Sequence, residues 1–130
     1  MPRKTDSKKP ADWLDIADAE LVMLRPSIEV EQFYDICRAR LAEVLEKLLK
    51  AELIRIGWPL TKTHDLETLG GELHARGSDL CATIDPLCAS LADAYFTGRY
   101  PGFDLEDPDW PTLRAQLAAV TALAIRARLG

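Results

Sequence analysis

One stretch constrains this chain more than any other. From Phe33 to Ile56 the apolar residues Phe33, Ile36, Cys37, Leu41, Val44, Leu45, Leu48, Leu49, Leu53 and Ile56 recur at steps of three and four. That is the period of an α-helix, whose side chains at i, i+3, i+4 and i+7 share a face. A strand would alternate faces at every residue. The spacing predicts a long helix from about Ser27 to Ile56, with Ser27 as its cap and Glu29 and Glu31 near the positive end of the dipole. Gly57 supplies a left-handed stop and Pro59 bars continuation. A stripe of this length and width needs other helices to cover it, so it belongs inside a bundle.

The flanking segments supply them. Trp13, Ile16, Ala17, Leu21 and Leu24 describe an amphipathic first helix, with Asp12 or Asp15 serving its first turn. Arg25-Pro26 is expected to end it, because the residue before a proline avoids the helical region. After a loop at 57–63, Thr63 is placed to cap a third helix that turns Leu66, Leu69 and Leu73 inward. Gly70-Gly71 costs about 1 kcal/mol per glycine against alanine, so this helix is expected to be weak or bent. Gly77 closes it and Ser78 can cap the next helix. That fourth helix is expected from Asp79 or Asp85 to about Thr97, through Leu80, Ile84, Leu87, Cys88, Leu91, Ala94 and Tyr95. Pro86 either breaks its start or sits in its first turn. A loop spans 98–108, and Asp109-Trp110-Pro111 opens a last helix bearing Leu113, Leu117, Val120, Ala124 and Ala127. The expected fold class is all-α: an up-and-down bundle of four to five helices, with residues 1–10 a disordered basic tail and 11–130 a single helical domain.

Composition narrows the function. The longest apolar runs, such as Leu117-Ala118-Ala119-Val120, fall far short of the ~20 residues that span a bilayer. The basic N-terminal residues have no apolar stretch behind them, as a secretory leader requires. A cytoplasmic protein without membrane contact is expected. The net charge is −5, yet Arg3, Lys4, Lys8 and Lys9 crowd the first ten residues, which leaves the body more acidic still. Such a body attracts phosphate only at a local positive patch. Cys37, Cys81 and Cys88 are odd in number and contain no Cys-x-x-Cys pair, so they read as reduced core cysteines. There is no Gly-x-Ser-x-Gly elbow, no Gly-x4-Gly-Lys-Ser/Thr phosphate loop and no His-Glu-x-x-His zinc helix. The acidic run Asp104–Asp109 lacks the spacing and central glycine of a calcium loop. No metal or cofactor is expected.

The residues that could carry chemistry cluster around one imidazole. His64 lies at a loop-to-helix junction beside Lys62 and behind the basic run Lys47, Lys50 and Arg55. A helix N-terminus with cations nearby is a candidate anion site; alternatively His64 only buttresses the helix start. His74, between Leu73 and Ala75, reads as a surface histidine. Tyr95 and Arg99 are four apart and so share a helix face, with Tyr100 and Pro101 following. Arg99 either complements the helix dipole or reaches a phosphate or a partner carboxylate.

In order, these segments resemble the HEPN family (higher eukaryotes and prokaryotes nucleotide-binding). Val44-Leu45-Glu46-Lys47-Leu48-Leu49-Lys50-Ala51-Glu52-Leu53-Ile54-Arg55-Ile56-Gly57 is similar to the family's Ala-Ala-Glu-Lys-Ala-Leu-Lys-Ala-Leu-Leu stretch, which ends at a glycine. Thr63-His64-Asp65-Leu66 matches its Thr-His-Asp-Leu, and Tyr95 through Arg99-Tyr100-Pro101 resembles its Tyr-x-x-x-Arg-Tyr-Pro. Asp12-Trp13-Leu14 and Ala17 fit its first helix, so the resemblance covers roughly residues 11–128. It implies a helical bundle, a homodimer, and a role beside a minimal nucleotidyltransferase or in a toxin–antitoxin pair. In many members it also implies a metal-independent ribonuclease built on Arg-x4–6-His.

That last signature is missing. The positions where its arginine would stand hold Gly57, Trp58 and Pro59 before His64, and Glu67, Thr68 and Leu69 before His74. Arg55 precedes His64 by eight intervening residues, too many for the motif, and Ala42 and Glu43 stand where the family commonly has glutamines. The reading favoured is a nucleotide- or partner-binding module with a degenerate catalytic motif. Lys47, Lys50, Lys62 and His64 would form a cationic mouth with Arg99 and Tyr100 across it. One alternative is a ribonuclease toxin acting on RNA, with His64 moving a proton and a spatially adjacent Arg55 or Arg99 steadying charge. The other is a purely structural dimerisation partner for a nucleotidyltransferase.

Overall fold

The long apolar helix is the axis of the molecule. The computed structural model describes residues 7–97, 100–102 and 107–129. Among the described residues six helices follow one another: α1 (Pro10–Glu29), α2 (Tyr34–Arg55), α3 (Leu66–Ala75), α4 (Cys81–Leu91), α5 (Ala94–Thr97) and α6 (Trp110–Leu129). Among the described residues there is no strand, so the fold is all-α. α2 packs against each of the other helices, its longest contact being with α1. Positions 41–46 and 48–53 are consequently buried all round the helix, not along one stripe. Leu41, Leu45, Leu49 and Leu53 are inaccessible at its centre, with Leu69, Leu73, Ile84, Leu91 and Leu113 closing over them.

The first turn between helices departs from expectation. α1 runs through Pro26 to Glu29 where an end at Arg25 was expected. The hydrogen bond that a proline removes here lies on an exposed side, with Val22 and Pro26 both exposed, while fully buried Ile28 anchors the final turn. Ser27 therefore lies within α1 and caps nothing, and α2 begins only at Tyr34. The reversal is made by Glu31 (φ 55°) and Phe33 (φ 59°) in the left-handed region, which side chains with a Cβ enter at a cost. Phe33 and Ile36, expected on the core face, are exposed. Adjacent helical residues point about 100° apart, and of the expected stripe the core takes Cys37 and Leu41 onward.

Other ends follow their local chemistry. Gly57 (φ 96°) closes α2: its N–H donates to the Ile54 carbonyl at 3.1 Å, and the Trp58 N–H to that of Leu53 at 2.8 Å. Asp65, not the expected Thr63, caps α3 by accepting the Glu67 N–H at 3.1 Å. Thr63 accepts the Asp65 N–H one step earlier, at 3.2 Å. α3 is continuous through Gly70-Gly71. Pro86 lies inside α4, past its first turn, and the expected fourth helix is interrupted at Ala92–Asp93. There the Arg38 guanidinium donates to the Ser90 carbonyl at 2.7 Å, engaging the group that would serve Ala94 in a continued helix, and pairs with Asp93 at 3.2 Å. Asp109 caps α6, accepting the Thr112 hydroxyl at 2.7 Å and the Thr112 N–H at 3.1 Å, and these two bonds hold its carboxyl below the ordinary range. Arg128 ties α6 back to Asp15 and Asp18 on α1.

Of the expected tail, residues 1–6 lie outside the described residues. Ser7 accepts the Trp13 indole N–H through its carbonyl at 2.8 Å, and α1 starts at Pro10, where a missing N–H costs nothing. The three cysteines are free, Cys37 and Cys88 buried and Cys81 half-buried.

Candidate functional site

Helix ends converge where α2 passes under the α2–α3 connection. His64, the residue before the α3 cap, lays Nδ1 at 3.1 and 3.2 Å from the two carboxylate oxygens of Glu46. The Glu46 side chain is 7% exposed, and one helical turn on Lys50, 5% exposed, places Nζ 2.9 Å from its Oε2. The same ammonium lies 5.2 Å from the centroid of the Trp13 ring on α1. Tyr95 on α5 stacks on the His64 ring, with centroids 5.0 Å apart and planes 16° from parallel. α2 and α5 thus meet the loop at one imidazole, whose side chain is 62% exposed, and α1 joins through Trp13 and Lys50.

They surround an open cleft of about 330 Å³ lined by Trp13, Glu46, Lys47, Lys50, Leu60, Thr61, Lys62, Thr63 and His64. Its floor is a buried ion pair. An isolated carboxylate at that depth would be too costly to keep ionised, but here it is met by an ammonium and a ring nitrogen. Lys47 is likewise matched by Glu20 on α1. The expected mouth therefore brings Lys47, Lys50, Lys62 and His64 together, with Lys47 paired to Glu20 and Lys50 to Glu46. Lys62 and His64 are exposed at the rim. What this cleft can do is hold a small polar ligand against an aromatic wall while the imidazole and hydroxyls form hydrogen bonds to it.

Arg55 is elsewhere. It closes α2, chelates Glu52 through Nε at 2.9 Å and Nη2 at 2.6 Å, and lines a separate cleft of about 230 Å³ with Asp79, Leu80 and Arg126. Arg99 lies outside the described residues. Tyr100 is exposed and is not among the described residues lining the His64 cleft. His74 is exposed, its Nε2 2.8 Å from Asp85 on α4. Sequence reasoning missed Glu46 and Trp13 as parts of the site, and placed Tyr95 only in a cluster with Arg99. The available signal for Glu46 was its i,i+4 spacing to Lys50 in a segment otherwise rich in leucine.

The family model for the HEPN domain matches residues 10–126, from the first residue of α1 into the last turns of α6. The chain belongs to the HEPN domain family. No curated protein and no solved structure matches it. The HEPN match contains the whole His64 cleft, so the site belongs to the domain and not to an appended segment. Among the described residues no His, Cys, Asp and Glu side chains gather as metal ligands, and no helix is long and apolar enough to cross a membrane.

Proposed function

We propose that this HEPN domain is a binding module for a phosphate-bearing nucleotide, working as a dimer beside a nucleotidyltransferase or in a toxin–antitoxin pair in the cytoplasm. The observation that carries the reading is the convergence of Lys62, Thr61, Thr63 and His64 on one cleft beside Trp13. Lys62 and the hydroxyls suit a phosphate, Trp13 offers a ring surface for a base, and His64 supplies a polar contact. Family membership supports the dimer and the partner. Calorimetric titration of the chain with ATP and AMP tests the binding. Heat is expected for the wild type, with affinity at least about tenfold weaker in His64→Ala, the loss of roughly one good hydrogen bond. No heat at millimolar ligand removes the nucleotide reading. Light scattering and co-purification from the native operon test the dimer and the partner.

A second reading, a metal-independent ribonuclease, draws on the Glu46–His64 contact, which resembles a carboxylate orienting a general base. The placement of Arg55 in another cleft weighs against it, since no described arginine lines the His64 site. Bulk tRNA incubated with the protein in EDTA decides: cleavage that disappears in His64→Ala would replace the binding reading with this one.

A further inference from the structure

The contact between His64 and Glu46 specifies more than proximity. An ionised carboxylate only accepts hydrogen bonds, and both Glu46 oxygens face the same ring nitrogen at nearly equal distance. The proton on that side of the ring therefore belongs to Nδ1. Lys50 at 2.9 Å supplies the countercharge that an ionised Glu46 needs at this depth. Rotating the imidazole by 180° would replace Nδ1–H with a C–H group and forfeit the bond, while the Tyr95 ring fixes the plane in which the imidazole lies. The other ring nitrogen, Nε2, belongs to a side chain that is 62% exposed and lines the cleft.

We infer that Glu46 is a positioning residue for ligand binding: it holds His64 in the Nδ1–H tautomer and presents Nε2 to the cleft as a hydrogen-bond acceptor. The inference rests on the proposed binding function for its ligand and on geometry for its tautomer. His74 provides the contrast within the same chain. There it is Nε2 that faces a carboxylate, Asp85, at 2.8 and 3.0 Å, so the proton belongs to the other nitrogen. The two histidines of this protein thus carry opposite tautomers, and the difference comes from which nitrogen meets an acid.

Long-range proton–nitrogen correlation spectra of the ¹⁵N-labelled full chain, recorded as pH is raised until the imidazole signals stop moving, read both tautomers directly. The expected wild-type result is a protonated Nδ1 on His64 and a protonated Nε2 on His74. In Glu46→Gln the His64 signals should move toward a mixture or the Nε2–H form while those of His74 stay in place, which shows that the variant is folded. ATP affinity should fall about tenfold in that variant, as for a lost hydrogen bond to a charged group. A wild-type His64 protonated on Nε2 overturns the inference without need of any variant. So does a Glu46→Gln protein with an unchanged tautomer or unchanged ATP affinity. If the wild-type tautomer is as expected and shifts in Glu46→Gln, but ATP gives no heat, Glu46 positions the ring and it is the nucleotide reading that falls.

Discussion

At the scale of single residues, the most consequential feature is a charge pair sealed beneath a polar cleft. Glu46 and Lys50 are among the few charged side chains that the fold buries, and each justifies the other. Removing one partner leaves the second desolvated and unmatched, so Lys50→Met is expected to destabilise the chain by about 3–5 kcal/mol. Replacing both, as in Glu46→Leu with Lys50→Met, is expected to cost much less than either single change, because no buried charge is then left without its partner. Urea denaturation of the two single variants and the double variant checks this, and additive single effects would contradict it. The same pair shows what the sequence hides. His64, Lys47, Lys50 and Lys62 were legible as a group because their types and spacing point to anions. Glu46 was not, because a glutamate on a helix normally faces water, and only the enclosure of α2 on every side puts this one inside. Tyr95 lies 31 positions from His64, and no local period connects them.

At the scale of elements, glycine stops and the opening of α6 were legible from local signals, whereas Pro26 misled and the break in the expected fourth helix lies at a tertiary contact. Gly57 and Gly77 stop α2 and α3 in positive φ, and Asp109 with Pro111 opens α6, all from short-range chemistry. The reversal at 30–33 carries no glycine or proline, and the helical period runs on through it undisturbed. At the break at Ala92–Asp93, Arg38 from a helix more than fifty residues earlier engages the Ser90 carbonyl and Asp93. The glycines of α3 offer a direct test of local cost. A Cβ at Gly71 meets nothing within 4 Å, and one at Gly70 would rest 3.6 Å from Cys88 Sγ, an ordinary contact. Gly71→Ala should therefore raise stability by about 0.5–1 kcal/mol, as expected for glycine replaced inside a helix. Gly57→Ala should lower it by about 1–2 kcal/mol, although it too has open space around it, because its φ of 96° penalises any Cβ. Thermal midpoints of the two variants should move in opposite directions, and a common direction would refute the conformational account.

At the scale of the molecule, α2 makes the bundle one cooperative unit. Every other helix rests on it, so none can leave without exposing leucines of the central core. The cysteines report on this from two places: Cys37 at the start of α2, and Cys88 on α4 beneath Gly70 of α3. Burial pushes the Cys88 thiol up to about 11, with Asp85 adding to the effect, and burial raises that of Cys37 as well. Raised values mean little thiolate near neutral pH, and thiolate is the form that alkylating reagents attack. Both cysteines should therefore resist iodoacetamide at pH 7.5 in the native chain and become labelled only when it unfolds. If α2 binds the helices into one unit, the two sites should acquire label in step as urea is raised, once each is referred to its rate in the unfolded chain. Peptide mass spectrometry after pulsed labelling gives the two rates separately. Cys88 labelled well ahead of Cys37 would show that α3 and α4 open by themselves. Because the His64 cleft is floored by α2 and entered beside α3, such opening would also loosen the cleft before the rest of the protein unfolds.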